Sequence, residues 1–176
     1  MPVRWSVFLD RDGVLNRKAP DNDYIKTWAE FAWLPGVLDA LRKLTAAGAR
    51  LLVVTNQRGV ARGLIGPADL DDIHEKLRAE AARVGATIDG IYVCPHLEGT
   101  CECRKPGVKL FHDAQRDFPD IVFARSFVVG DTPSDIEAGR KLGARTILIA
   151  AGGDAASLPD AVDRLMLPVL MVSGKP

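Results

Sequence analysis

The sequence predicts an α/β fold: an open, mostly parallel sheet with helices on both faces. Three observations carry that expectation. Short apolar runs of strand type recur along the chain at 5–9, 50–54, 88–93, 126–129 and 146–149. Between them lie stretches with apolar residues at helical spacing. Each of the first four runs ends in, or leads to, a short cluster of polar residues, the pattern of strand ends that carry ligands in parallel sheets.

The elements follow in order. The run at 5–9 leads directly into Asp10-Arg11-Asp12-Gly13. Residues 17–31 read as a long loop with Pro20, Asp21, Asn22 and Asp23 as breakers. A loop of that length in a compact domain is usually functional. Pro35-Gly36 open a helix with Val37, Leu38, Leu41 and Leu44 on one face, stopped at Gly48. The second strand is an unbroken Leu51-Leu52-Val53-Val54, which suits a strand covered on both sides. Pro67 starts a helix with Leu70, Ile73, Leu77 and Ala81 inward. Pro106-Gly107 start a third, with Leu110, Phe111, Ala114 and Phe118 inward, and Pro133 starts a fourth through Ile136 and Leu142. The tail beyond Gly152-Gly153 holds a weak helix near 160–165 and an apolar end at 167–172. The alternation is that of a Rossmann-like sheet in a single domain, 1–176.

Composition excludes several classes. The apolar fraction is 47% and the charged fraction 26%, ordinary for a globular protein. Lys+Arg and Asp+Glu both number 23, so no bulk charge points to nucleic acid or a membrane surface. No apolar run reaches the roughly 20 residues of a membrane span. The first residues lack a signal-peptide layout, which predicts a cytoplasmic location.

Asp10 and Asp12 place two carboxylates at a strand end, where Gly13 lets the chain turn. Such a pair can hold Mg²⁺ or divide nucleophile and acid/base roles; it is also ordinary Asp-Gly turn chemistry. Thr55-Asn56, Arg104-Lys105 and Asp131/Asp135 follow other strand ends or connecting loops. Taken singly, each also reads as a turn, a helix cap or a surface cation. Their joint placement on one sheet edge is the specific signal. All three cysteines lie in one loop, as Cys94-Pro95-His96-x4-Cys101-x-Cys103. Three thiolates and one imidazole make a closed tetrahedral Zn²⁺ set, hence a structural one. Arg11 is expected to point into packing or a surface pair, and His74 and His112 to be ordinary polar helix residues.

Asp10-x-Asp12-Gly13, Thr55, Lys105 and Gly130-Asp131-x3-Asp135 resemble, in order and spacing, the four motifs of the haloacid-dehalogenase-like (HAD) superfamily. The resemblance implies Mg²⁺-dependent phosphoryl transfer through an aspartyl-phosphate. It makes Asp10 the nucleophile and Asp12 the acid/base. Thr55 and Lys105 become the phosphoryl clamp, and Asp135 orients Lys105 or a metal-bound water. Mg²⁺ would be held by Asp10, the Asp12 main-chain carbonyl and Asp131. Neither gap between motifs holds a domain-sized cap, so loops must select the substrate.

Within the superfamily the cysteine loop is similar to two groups, the heptose 1,7-bisphosphate 7-phosphatases and the histidinol-phosphate phosphatases. The short loop after His96 and Gly107-Val108-Lys109 lean toward the second. The stretch 21–24 and a local basic set that includes Lys18, Arg58 and Arg104 lean toward a bisphosphate. Expected substrate contacts are Asp21, Tyr24, Asn56, Gln57, Arg58, Arg104 and Lys105. The partner is then a small phosphorylated metabolite, a sugar bisphosphate first, bound by a monomer. A reading from another class is a zinc-stabilised binding or scaffold protein.

Overall fold

The computed structural model describes residues 4–172. Residues 1–3, read above for a signal-peptide layout, lie outside the described residues. The elements are β1 (Ser6–Leu9), α1 (Val37–Ala46), β2 (Arg50–Asn56), α2 (Pro67–Arg83), β3 (Ile88–Cys94), α3 (Lys109–Asp117), β4 (Phe127–Gly130), α4 (Pro133–Lys141), β5 (Arg145–Leu148) and α5 (Leu158–Val172). Short 3-10 turns occupy Trp28–Glu30 and Phe123–Arg125.

All strand pairs are parallel, in the order β3-β2-β1-β4-β5. The chain first builds outward from β1 to β3, then returns to pair β4 with the other side of β1. That reversal creates a crevice at the carboxyl ends of β1 and β4, where open α/β sheets bind ligands. The unbroken apolar run of β2 is explained by its two covered faces. Val7, Leu9, Leu51 and Val53 join one core with α1, α2 and α5; Phe8, Leu52 and Val54 join the other with α3 and α4. Phe8 is enclosed there by Phe111 and Phe123, with ring centroids 5.1 and 6.1 Å away.

Two expected helix starts are corrected. Pro35-Gly36 and Pro106-Gly107 form turns, and the helices begin at Val37 and Lys109. At the second turn the Gly107 N–H donates to the Arg104 carbonyl at 2.7 Å, which commits the pair to closing the preceding loop. Asp131 is not the cap of α4. Thr132 is, in a reciprocal capping box with Asp135. In the tail, 158–172 is one continuous helix, with Leu158, Ala161 and Val162 buried in the first core.

The long loop after β1 is an organised excursion. Arg17 N–H donates to the Ala32 carbonyl at 2.8 Å and Leu34 N–H to the Leu15 carbonyl at 2.9 Å, so its ends are clamped together. Trp28 stacks on Phe31 at 4.7 Å, and Phe31 meets Trp33 edge-on at 5.2 Å. The Trp33 indole N–H donates to Glu80 of α2 at 2.6 Å. One limb of the loop is thereby fixed to the scaffold, which leaves the other, residues 17–24, along the crevice. No domain-sized insertion interrupts the described residues between β1 and α1 or between β2 and α3.

Candidate active site

The crevice gathers the predicted strand-end residues around Lys105. Its side chain is buried, and its ammonium has three acceptors: the Val54 carbonyl at 2.6 Å, Asp135 Oδ1 at 2.6 Å and Asp10 Oδ1 at 3.0 Å. An ammonium carries three hydrogens, so this set satisfies it completely. Burial alone would push the Lys105 pKa down; the Asp10 and Asp135 charges overcome that and raise it. Lys105 is therefore a fixed cation. Its backbone is fixed too. Asn56 Oδ1 accepts from the Lys105 N–H at 3.0 Å and Asn56 Nδ2 donates to its carbonyl at 3.3 Å. Asn56, expected among the substrate contacts, is thus a splint between β2 and the lysine loop, while still lining the crevice.

Carboxylate oxygens of Asp10, Asp131 and Asp135 lie within 4.8 Å of one another. Asp135 is already committed. Besides Lys105 it accepts from the Thr132 N–H and hydroxyl, at 3.2 and 2.7 Å. Asp131 is different: its Oδ1 is buried without any hydrogen-bond partner, and its Oδ2 meets Lys18. An orphaned carboxylate oxygen beside a second carboxylate is costly unless a cation takes it. The Asp12 main-chain carbonyl accepts no hydrogen bond among the described residues and is free to serve as a further oxygen donor. This all-oxygen set suits a hard divalent cation such as Mg²⁺. Gly13 is required here for two reasons. Its φ is +89°, and a Cβ would run into the Asp131 carboxylate and the Lys18 stem.

Asp12 is held by its neighbours. Asn16 donates to its Oδ1 at 2.9 Å and Gln57 to its Oδ2 at 2.7 Å. Arg11 Nη2 lies 3.1 Å from both oxygens. Burial alone would raise the Asp12 pKa, but the Arg11 charge and the hydrogen bonds from Asn16 and Gln57 outweigh it, so the carboxyl sits below its usual range. Gln57, expected at the substrate, is buried and turned inward; the same amide donates to Thr55 Oγ1 at 2.8 Å. Thr55 keeps its own hydroxyl hydrogen to donate.

The remaining expected contacts divide. Arg104 lines the crevice, a cleft of about 200 Å³, together with Asp10, Asp12, Lys18, Lys105 and Asp131. Arg58 Nε donates to the Tyr24 hydroxyl at 2.9 Å, which joins the two loops. Tyr24 lines an adjoining hollow of about 330 Å³ with Arg17, Lys18 and Asp23. Asp21 is exposed and belongs to neither lining; Asp23 takes its expected place.

Sequence reasoning missed Arg11 and His74. Arg11 is fully buried, not in a surface pair, and its Nη1 lies 3.1 Å from His74 Nε2. His74 is buried on α2; burial, with the Arg11 charge, pushes its pKa down to about 3. A signal existed. Position 74 falls on the same helical stripe as Leu70, Ile73 and Leu77. His112 is exposed on α3 and touches Phe123 only edge-on.

The cysteine loop closes on itself. Cys94, Cys101 and Cys103 are unbridged, with Sγ–Sγ distances of 3.5 Å from Cys101 to each of the others. His96 Nδ1 lies 3.1 Å from Cys103 Sγ and 3.8 Å from Cys94 Sγ. A tetrahedral Zn²⁺ with bonds near 2.3 Å sets its sulfurs about 3.8 Å apart, so the donor set fits that ion.

Known proteins of similar sequence and fold are phosphatases. A HAD-hydrolase-like family model matches residues 102–165. The D-glycero-α-D-manno-heptose-1,7-bisphosphate 7-phosphatase of Mycobacterium bovis is 45% identical over 142 residues, covering 80% of this chain and 74% of the relative. The D-glycero-β-D-manno-heptose-1,7-bisphosphate 7-phosphatase of Rhodopseudomonas palustris is 41% identical over 150 residues, covering 81% of each. Among solved structures, the B. bronchiseptica D,D-heptose 1,7-bisphosphate phosphatase complexed with magnesium and phosphate superposes with a TM-score of 0.82. It is 31% identical and covers 93% of this chain and 99% of its own.

Burial pushes the Asp10 carboxyl from its ordinary 3.8 up to about 7, against the pull of Lys105. The folded chain then binds this proton more tightly than the unfolded chain. Its contribution to stability is present below the unfolded value and is lost as pH rises through about 7. A divalent cation bound at this carboxylate set would replace that proton. The rise in Tm on adding Mg²⁺ is therefore expected to be larger at pH 8 than at pH 5, and differential scanning fluorimetry reads it directly. An equal or larger shift at pH 5 contradicts the role given to Asp10.

Proposed function

We infer that this chain, which belongs to the haloacid-dehalogenase-like hydrolases, is a phosphoric monoester hydrolase that removes the 7-phosphate of D-glycero-D-manno-heptose 1,7-bisphosphate. The observation that carries this reading is Lys105, a fully satisfied cation held 3.0 Å from the Asp10 carboxylate at the closed end of the cleft. Such a cation offsets charge on an incoming phosphoryl group without having to reorganise.

An Asp10 carboxylate oxygen attacks phosphorus as the bond from phosphorus to the sugar oxygen breaks. That oxygen takes its proton from Asp12. A water oxygen then bonds to phosphorus, its proton passes to Asp12, and the Asp10–phosphorus bond breaks to release inorganic phosphate. Asp12 rests ionised, which suits the second step. For the first, an arriving phosphate dianion adds negative charge beside it and raises its affinity for a proton. Thr55 donates to a phosphoryl oxygen, and Asp135 keeps Lys105 aimed. Mg²⁺, held by Asp10, the Asp12 carbonyl and Asp131, would supply the charge that offsets repulsion between nucleophile and phosphate.

The sugar bisphosphate fits better than histidinol phosphate. Arg17 and Lys18 line the hollow, Lys18 and Arg104 line the cleft, and Arg58 reaches the Tyr24 hydroxyl behind them, a set that can take a second phosphate. The acidic residues of the hollow are already engaged: Asp23 pairs with Lys26 at 2.7 Å, and Glu30 accepts from the Lys26 N–H at 2.7 Å. A cationic amine therefore finds no free acidic wall there. The relatives named above are heptose enzymes as well. Zn²⁺ at Cys94, His96, Cys101 and Cys103 would be structural and hold the loop that delivers Arg104 and Lys105. Thiolate ligands of this kind persist in a reducing compartment, which supports a cytoplasmic location. One chain, read as one domain, supplies every residue named, so a monomer suffices for this chemistry on a small metabolite.

Three outcomes test this reading. Mg²⁺-dependent phosphate release should be fast from the heptose bisphosphate and slow from histidinol phosphate; the reverse preference sinks the substrate. Asp10→Asn should lower turnover by at least about a thousandfold with Tm retained. Surviving activity would remove Asp10 as nucleophile, and inactivity of the parent across a broad phosphate ester panel would favour the scaffold reading. Verified removal of zinc should cost roughly tenfold in kcat/KM, as loss of outer supports does at metal sites. Unchanged activity would detach the zinc loop from catalysis.

A further inference from the structure

Arg11 and His74 have no part in the mechanism above, yet both are buried beside it. Arg is seldom buried without a task, because its charge must be matched. Here Arg11 is 0% exposed and is used at two levels. Its carbonyl accepts from the Val14, Leu15 and Asn16 N–H groups at 3.3, 2.8 and 3.2 Å, so the whole turn after the nucleophile folds around it. Its guanidinium reaches both oxygens of Asp12 at 3.1 Å with Nη2, and Oδ1 again with Nε at 3.4 Å. Nη1 points the other way, 3.1 Å from His74 Nε2 on α2. A guanidinium N–H can only donate, so His74 Nε2 accepts and the ring hydrogen sits on Nδ1.

We propose that Arg11 and His74 are positioning residues that fix the rotamer of Asp12, His74 anchoring the guanidinium to helix α2 and Arg11 orienting the carboxylate for both of its proton transfers. The geometry explains why two groups are needed. Arg11 and Asp12 are adjacent in sequence, so their pair alone could swing as a unit with the turn. The link to α2 ties it to an element packed in the core through Ile73 and Leu77. Asn16 and Gln57 complete the cradle from the other sides. The inference rests on Asp12 being the acid/base, and the test separates the two ideas.

A group that protonates a leaving oxygen matters most when that oxygen leaves poorly. The readout is therefore kcat/KM on an alkyl phosphate, the heptose bisphosphate, against kcat/KM on 2,4-dinitrophenyl phosphate, whose phenolate needs no proton. Arg11→Met should lose about ten- to a hundredfold on the alkyl ester and less than about threefold on the aryl ester. On the aryl ester kcat should nevertheless fall, with a burst of dinitrophenol, because water activation against the aspartyl-phosphate also needs Asp12. Equal losses in kcat/KM on both esters mean general disruption and overturn the proposal.

Should Arg11→Met not fold, the outer member decides. His74→Leu removes the acceptor for Arg11 and should show the same alkyl-selective loss, while His74→Gln, which restores an acceptor, should recover most of it. Equal behaviour of the two His74 variants overturns the anchoring role. Asp12→Asn is the control. Alkyl-selective loss in Asp12→Asn but not in the Arg11 or His74 variants overturns this proposal alone. No selectivity in Asp12→Asn overturns the acid/base assignment and the proposal with it.

Discussion

Everything in the crevice depends on one buried ammonium. Lys105 reaches into the sheet end and touches three different strands' worth of structure: Val54 on β2, Asp10 after β1, and Asp135 on α4 after β4. Removing an acceptor outright leaves the ammonium partly unsatisfied away from water, whereas an amide oxygen in place of the Asp10 carboxylate still accepts and Asp135 still matches the charge. The lysine therefore locks the relative positions of Asp10, the carboxylate edge and the cysteine loop. The charge count is also informative. Asp10, Asp131 and Asp135 face Lys105 and Lys18, while Asp12 is matched by Arg11. One negative charge is left over, and the orphaned oxygen of Asp131 shows where a cation is wanted.

Selectivity comes from a different kind of construction. Without a cap domain, the two loops over the site must hold their shape unaided. The loop after β1 does so with aromatic rings, Trp28, Phe31 and Trp33, and a tie to Glu80. The loop after β2 is tied across to the first by Arg58 and Tyr24, and to the cysteine loop by the Ala61 N–H on the Pro95 carbonyl at 3.2 Å. Ordering is thus supplied by the scaffold before any ligand arrives, which lowers the entropy lost on binding.

Much of this was legible in the sequence. The five strands follow from apolar runs, and the unbroken run in β2 announces its two covered faces. The motif residues were legible because parallel strands bring their ends together whatever their separation along the chain. Asp10, Lys105 and Asp131 are grouped by strand order alone. What was not legible depends on side-chain direction. Gln57 and Asn56 sit where a substrate contact is expected, yet one faces inward to Asp12 and the other splints Lys105. Polar residues at a strand end can turn either way, and only packing decides. Arg11 is expected in packing or in a surface pair; it is buried, and what the sequence does not show is its reach to Asp12 and His74. His74 was discounted as polar, though its stripe position on α2 pointed inward. The Pro-Gly pairs misplace the helix starts by two residues at Val37 and three at Lys109, since both proline and glycine serve a turn as well as a helix start.

The placement of β1 has a consequence for synthesis. Its two neighbours come from distant parts of the chain: β2 follows within about fifty residues, whereas β4 supplies Val129, whose carbonyl accepts from the Asp10 N–H at 3.0 Å. A growing chain therefore presents Asp10 before Asp131 and Asp135 exist, because both follow β4 in sequence. The carboxylate edge is complete only when the returning strand docks against the centre of the sheet.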